Sequence, residues 1–109
     1  MDNRRSWALS ILTLACLAAC GSSIGDACTT DQDCGGRSCS TASTFPGGYC
    51  TERCVVGDSG SCPTGSTCVD HHGGASCLRI CADDTECRSG YVCLTYRSDG
   101  AFCLIPSDG

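Results

Sequence analysis

The apolar residues of this chain fall into two patterns. From Trp7 to Leu17 they form a run broken only by Ser10, Thr13 and Cys16. A run of that length is too short to cross a bilayer as a helix. It fits the h-region of a signal peptide, with Arg4 and Arg5 as the basic n-region. After Gly21 the large apolar residues stand singly or in short alternating stretches. The clearest are Val92-Cys93-Leu94-Thr95-Tyr96 and Ala101-Phe102-Cys103-Leu104, separated by a turn signal at Asp99-Gly100. This pattern predicts a β-hairpin. Gly47-Gly48 and Gly73-Gly74 predict the turns of two more. The remainder reads as irregular loops with little helix.

The three hairpins occupy equivalent places in a cysteine frame that repeats. First cysteines are Cys28, Cys54 and Cys81; second, Cys34, Cys62 and Cys87; third, Cys39, Cys68 and Cys93; fourth, Cys50, Cys77 and Cys103. Each fourth cysteine is joined to the next first by three residues, Thr51-Glu52-Arg53 and Leu78-Arg79-Ile80. Fixed short joints imply modules stacked in a defined way. The modules are residues 28–53, 54–80 and 81–109. Copies one and three also share the motif C-x-x-D-x-[D/E]-C, in which Asp31 and Asp84 suit an Asx turn or the cap of one helical turn. Copy two is looser, with Asp58 as the nearest equivalent. A glycine turn follows in each copy, at Gly36, Gly65 or Gly90.

Composition sharpens this reading. Fourteen cysteines in 109 residues is a disulfide-scaffold composition. The apolar set after the leader, chiefly Val55, Val56, Val69, Leu78, Ile80, Val92, Leu94, Leu104 and Ile105 with Phe45, Tyr49, Tyr91, Tyr96 and Phe102, is too sparse for one sizeable core. Cross-links are the expected remedy. The even parity of the repeated cysteines, the export signal and the absence of any C-x-x-C favour disulfides over zinc or redox chemistry. Beyond the leader the only bases are five arginines against eleven acidic residues. That balance excludes nucleic acid and charge-driven docking to anionic lipid. The fold class is therefore a small disulfide-rich protein of three tandem hairpin modules.

The leader ends in Leu17-Ala18-Ala19-Cys20, followed by Gly21-Ser22-Ser23. This resembles the bacterial lipobox, where a peptidase cuts before an invariant cysteine that carries lipid. The resemblance implies a signal peptide over residues 1–19 and a diacylglyceryl thioether on Cys20, with acyl chains such as palmitate. Residues 20–27 become the lipidated cysteine and its tether. Two alternatives are weaker. One is an ordinary secretory cleavage after the small residues. The other is a lipobox at Cys16, which would strand Cys20 as an odd thiol. Each buried lipid methylene contributes about 0.8 kcal/mol, and two or more chains anchor stably where one does not. The tether from Gly21 to Ala27 would span roughly 25 Å if extended at about 3.5 Å per residue. In enteric bacteria, lipoproteins lacking Asp after the lipidated cysteine go to the outer membrane, so by the same resemblance Gly21 points there.

Four cysteines permit three pairings per module, and spacing alone does not choose among them. The spacing of copy one resembles the first part of colipase and the Dickkopf cysteine-rich regions. There the first cysteine pairs with the third and the second with the fourth. The resemblance implies Cys28–Cys39, Cys34–Cys50, Cys54–Cys68, Cys62–Cys77, Cys81–Cys93 and Cys87–Cys103. Those families carry further cysteines that this chain lacks, so their function does not transfer.

Candidate chemistry is thin. His71 and His72, beside Asp70 at the second hairpin tip, read as surface histidines rather than metal ligands, since neighbours on a strand face opposite ways. No G-x-S-x-G elbow is present, and a chain this small leaves no room for a shaped catalytic pocket. The acidic pairs Asp31/Asp33 and Asp83/Asp84/Glu86 lack a full calcium loop and suit capping. The tips differ between copies, and a rigid scaffold with variable loops suits binding. Phe45, Tyr96 and Arg97 are the candidate contacts, although Phe45 and Tyr96 also suit the covering of disulfides. The expectation is a non-enzymatic extracytoplasmic lipoprotein, without metal or cofactor, with a binding or envelope-structural role and a protein or glycan as ligand. The alternative is a small secreted protease inhibitor using one hairpin as a wedge, with Arg97 as the residue offered. Peptide mapping without reductant is expected to find disulfides only within modules; a link between modules would refute the assignment.

Overall fold

A computed structural model describes residues 22–106. It contains six strands in three antiparallel hairpins: β1 (Ser38–Ser40) with β2 (Tyr49–Thr51), β3 (Ser66–His71) with β4 (Gly74–Arg79), and β5 (Val92–Tyr96) with β6 (Gly100–Leu104). Two short 3₁₀ turns, Asp31–Cys34 and Asp84–Glu86, are the helical elements among the described residues.

The register of every hairpin sets its third and fourth cysteines directly opposite each other: Cys39↔Cys50, Cys68↔Cys77 and Cys93↔Cys103. Opposed residues in an antiparallel pair project to the same face. Both sulfurs therefore meet the loop carrying the first and second cysteines, which crosses that face. Six bonds result: Cys28–Cys39, Cys34–Cys50, Cys54–Cys68, Cys62–Cys77, Cys81–Cys93 and Cys87–Cys103. Their Cα separations of 5.4–5.9 Å need no backbone adjustment. In the chain-entropy account each loop of this size contributes about 3 kcal/mol.

The shared acidic motif has a mechanical explanation. Asp31 accepts a hydrogen bond from the Cys39 N–H and Asp84 accepts one from the Cys93 N–H, both at 2.8 Å. Each carboxylate thus holds the cysteine loop against its own hairpin. The second acid closes the loop on itself. Asp33 accepts from the N–H groups of Thr29 and Thr30, and Glu86 from that of Ala82. The Thr29 backbone N–H and hydroxyl, with the Thr30 N–H, hold the Asp33 carboxyl below its ordinary range. In copy two Ser61 takes the place of Asp33 and Glu86, its hydroxyl accepting from the Val55 N–H at 3.2 Å. Asp58 instead accepts from the Gly60 N–H.

Two turns lie elsewhere than the glycine pairs predict. The second hairpin pairs His71 with Gly74, so its turn is His72-Gly73, with φ of 53° and 85°. A turn at Gly73-Gly74 would move Cys68 out of line with Cys77. The first hairpin closes through residues 41–48, and Gly47-Gly48 lies at the exit of that loop. Gly48, at φ 81°, is pressed onto the first disulfide: a Cβ there would lie 1.9 Å from the Cys28 carbonyl oxygen. The third turn, residues 97–99, closes with the Asp99 N–H donating to the Tyr96 carbonyl at 3.1 Å.

The apolar residues assemble into a small core, beside a second cluster formed by Cys28, Cys34 and Cys50. Tyr49, Val69, Leu78, Phe102 and Leu104 are fully buried and come from all three hairpins. They suffice because the modules pack on one another and half-buried sulfurs fill the margins. Tyr49 is the joint. Its hydroxyl accepts from the Arg79 N–H at 2.9 Å and donates to the Cys103 carbonyl at 3.3 Å, tying modules one, two and three. Burial pushes the Tyr49 phenol up to about 12, against the opposing pull of the Arg79 N–H. The Thr51 hydroxyl donates to the Cys77 carbonyl at 2.8 Å, and Ile80, in the second joint, forms a β-bridge with Phe102 of β6, so each joint brings one module against the next.

The expected tether also differs. Ile24 is buried, the Gly25 N–H donates to the Cys50 carbonyl at 2.8 Å, and the Cys50 N–H donates to the Asp26 carbonyl at 2.9 Å. Residues 24–26 therefore run beside β2 as part of the fold, because Ile24 finds core and the free edge of β2 finds partners.

Two outcomes follow from this packing. Gly48→Ala should lower the yield of correctly bonded protein on oxidative refolding, read by non-reducing chromatography, and cost more than about 1–3 kcal/mol. Gly57→Ala, also at positive φ (91°) but facing open space, carries the left-handed strain without the clash, so it serves as the control and should lose less. For Tyr49, ionisation favours the unfolded chain, whose phenol titrates at the ordinary 10.0 while the folded one waits until about 12. Its contribution is complete below the lower value and is lost as pH climbs towards the upper. Between about pH 9 and pH 11 the wild type should lose about 1 kcal/mol by urea unfolding that Tyr49→Phe does not lose. Equal slopes would refute the assignment.

Candidate functional site: the meeting of the three hairpin tips

The tips were expected as three separate variable loops. In the structure two tip residues and Phe45 gather around one imidazole. The His71 ring lies 5.5 Å from the Phe45 ring, 5.1 Å from the Tyr96 ring and 4.2 Å from the His72 ring, centroid to centroid. Phe45 in turn stacks on Tyr49 at 4.4 Å. The cluster thus joins module one through Phe45, module two through the histidines and module three through Tyr96.

This arrangement revises several site expectations. Phe45 is not an exposed contact. It is 6% exposed and sits in the core, because stacking on Tyr49 removes its face from water. His71 is not a surface histidine either, at 5% exposed, whereas His72 is exposed. The neighbouring rings do not simply face opposite ways, since His72 adopts φ 53° and leaves the strand at the turn. Tyr96 is half-buried against His71. Arg97 alone of the three candidate contacts is exposed, with its guanidinium 5.0 Å from the Tyr96 ring centre. Arg97 has φ 53° within a tight turn. Cys20 lies outside the described residues.

Arg88 was legible only as a base, yet it is a structural clamp. It donates to the Gly25 carbonyl at 3.0 Å and to the Pro46 carbonyl at 2.8 Å, and lies 4.3 Å over the Tyr91 ring. The Tyr91 hydroxyl donates to the same Pro46 carbonyl at 3.0 Å. Together they fix the 41–48 loop, and with it Phe45, against module three. No local sequence signal marks Arg88, because its partners are carbonyl groups 63 and 42 residues away.

The remaining candidate chemistry resolves into structure. In each module three sulfurs lie within 4.8 Å of one another, such as Cys28, Cys34 and Cys50. All of them belong to disulfides, which do not offer the thiolate a metal requires. Asp83 accepts from the Thr85 N–H and hydroxyl, a capping role. Shaped space does exist, contrary to the expectation from chain length. Packing three hairpins side by side leaves open grooves. One of about 310 Å³ lies between the 41–45 loop and the tip of the second hairpin, with Phe45, Thr51, Arg53, His71, His72 and Ser76 among its walls. Another of about 250 Å³ separates the 57–62 loop from β3. No protein-family model, curated protein or solved structure matches this chain.

Proposed function

We propose that this chain is a non-enzymatic, extracytoplasmic lipoprotein, cut before Cys20 and anchored there by lipid, whose disulfide-fixed hairpins serve in binding or as an envelope element. The observation that carries the reading is cysteine parity. All twelve cysteines from Cys28 to Cys103 are consumed in bonds to one another. Of the chain's fourteen, only Cys16 and Cys20 remain. Cleavage before Cys20 discards Cys16 and leaves one cysteine, at the new amino terminus, with no thiol left to pair with. The lipobox-like Leu17-Ala18-Ala19-Cys20 gives that cysteine a use. Disulfides in this number also suit an oxidising compartment.

The anchor is short. With residues 24–26 held beside β2 and Ser23 bonded to Asp26, only Gly21 and Ser22 separate Cys20 from bonded structure. The folded block then rests near the membrane surface rather than at the end of a long tether. Gly21 after the lipidated cysteine favours the outer membrane.

Intact-mass measurement of the exported protein tests the reading. The expected mass is that of residues 20–109, less twelve thiol hydrogens, plus a diacylglyceryl group and its further acyl chain. Cys20→Ser should remove the lipid mass and release the protein from the membrane fraction without altering the six disulfides. An unmodified Cys20 in the exported wild type would refute the anchor.

A further inference from the structure

The groove between the 41–45 loop and the tip of the second hairpin differs in charge from the rest of the chain. The protein carries a formal net charge of −5 and no lysine. Yet the groove's walls include both histidines of the chain and Arg53, with no carboxylate. The other described clefts lack this character. The one beside the 57–62 loop carries Asp58, and the one under Arg88 carries Asp26 and Glu86. The cleft beside Cys28 has no charged wall.

Arg53 is exposed, and its backbone is held by a β-bridge to Ser76. Its neighbour Glu52 faces Arg37 at 3.8 Å. The floor is aromatic: Phe45 is stacked on Tyr49, and His71 lies against both Phe45 and Tyr96. Ser40, Thr44, Thr51 and Ser76 are among the remaining wall residues of this small site. Arg53 is the formal charge on these walls, and its guanidinium presents a planar fork suited to a carboxylate.

We propose that this groove binds a small organic carboxylate, its acid group on Arg53 and its apolar body over the Phe45–His71 floor. This takes the binding branch of the proposed function and gives it a site; it does not depend on the lipid. The test is a titration of the ¹⁵N-labelled exported protein, in detergent, with benzoate as probe. Saturable shifts are expected at the amides of Gly73, Gly74 and Ser76 and at the His72 ring. Arg53→Gln should weaken binding about tenfold or more, as loss of a charge-assisted hydrogen bond would. Asp58→Asn, which alters one charge at a different cleft, should leave it unchanged. Retention of the wild-type amide dispersion by both variants establishes that they fold. No saturable shift, equal binding by Arg53→Gln, or equal binding of benzyl alcohol, which lacks the charge, would overturn the proposal. Inorganic phosphate matching benzoate would also overturn it, by making the site one for bare anions. Failure of any arm leaves the intact-mass reading of Cys20 unaffected, so the two readings fail separately.

Discussion

Each module depends on a pair of cysteines set face to face across a two-stranded hairpin. Directly opposed residues share a face, so the loop bearing the other two cysteines must cross that face to meet them. Two cross-links then fasten one loop to one hairpin. An isolated two-stranded hairpin is marginal in water, and these strands are as short as three residues. The loop clamped across the face supplies what a third strand or a helix would supply in a larger protein.

The clamp is reinforced by carboxylates. Asp31 and Asp84 reach the N–H of the third cysteine in their modules, and Asp33 and Glu86 close the loop that carries the second. These acids lie in the gap between the first and second cysteines because that gap is the clamp. Ser61 performs the closing bond in copy two with a shorter, neutral side chain, and the loop there is longer. Acidity that reads as simple surface charge is thus partly the hydrogen-bonding hardware of the fold. The exposed ion pair of Arg37 and Glu52 contributes little by comparison.

What turns three clamped hairpins into one body is a second set of contacts. Tyr49 and Arg88 bind backbone carbonyls far away in sequence, Ile24 enters the core, and the rings of Phe45, His71 and Tyr96 close the tip end. These contacts convert the spaces between modules into defined grooves. They also place the only histidines beside Arg53 rather than at a free tip. A tyrosine in such a joint works by shape and by two hydrogen bonds at once; its burial raises the phenol's pKa, and the bond from the Arg79 N–H opposes that rise.

The modular plan was legible in the chain because a cysteine repeat with fixed joints reports itself through spacing, and period-two strands with turn residues report hairpins. The small helical turns at Asp31 and Asp84 were legible for the same local reason. The pairing was not, since spacing admits three connectivities and only the register, which lines up Cys68 with Cys77, puts specific sulfurs within reach. Nor were the positions of Phe45 and His71: a tip residue looks exposed until another module covers it. Local chemistry decides turns, caps and cross-linkable residues from a few neighbouring positions. Burial, the core shared between modules and the groove beside Arg53 arise from residues tens of positions apart, and only the packing of one hairpin on another could decide them.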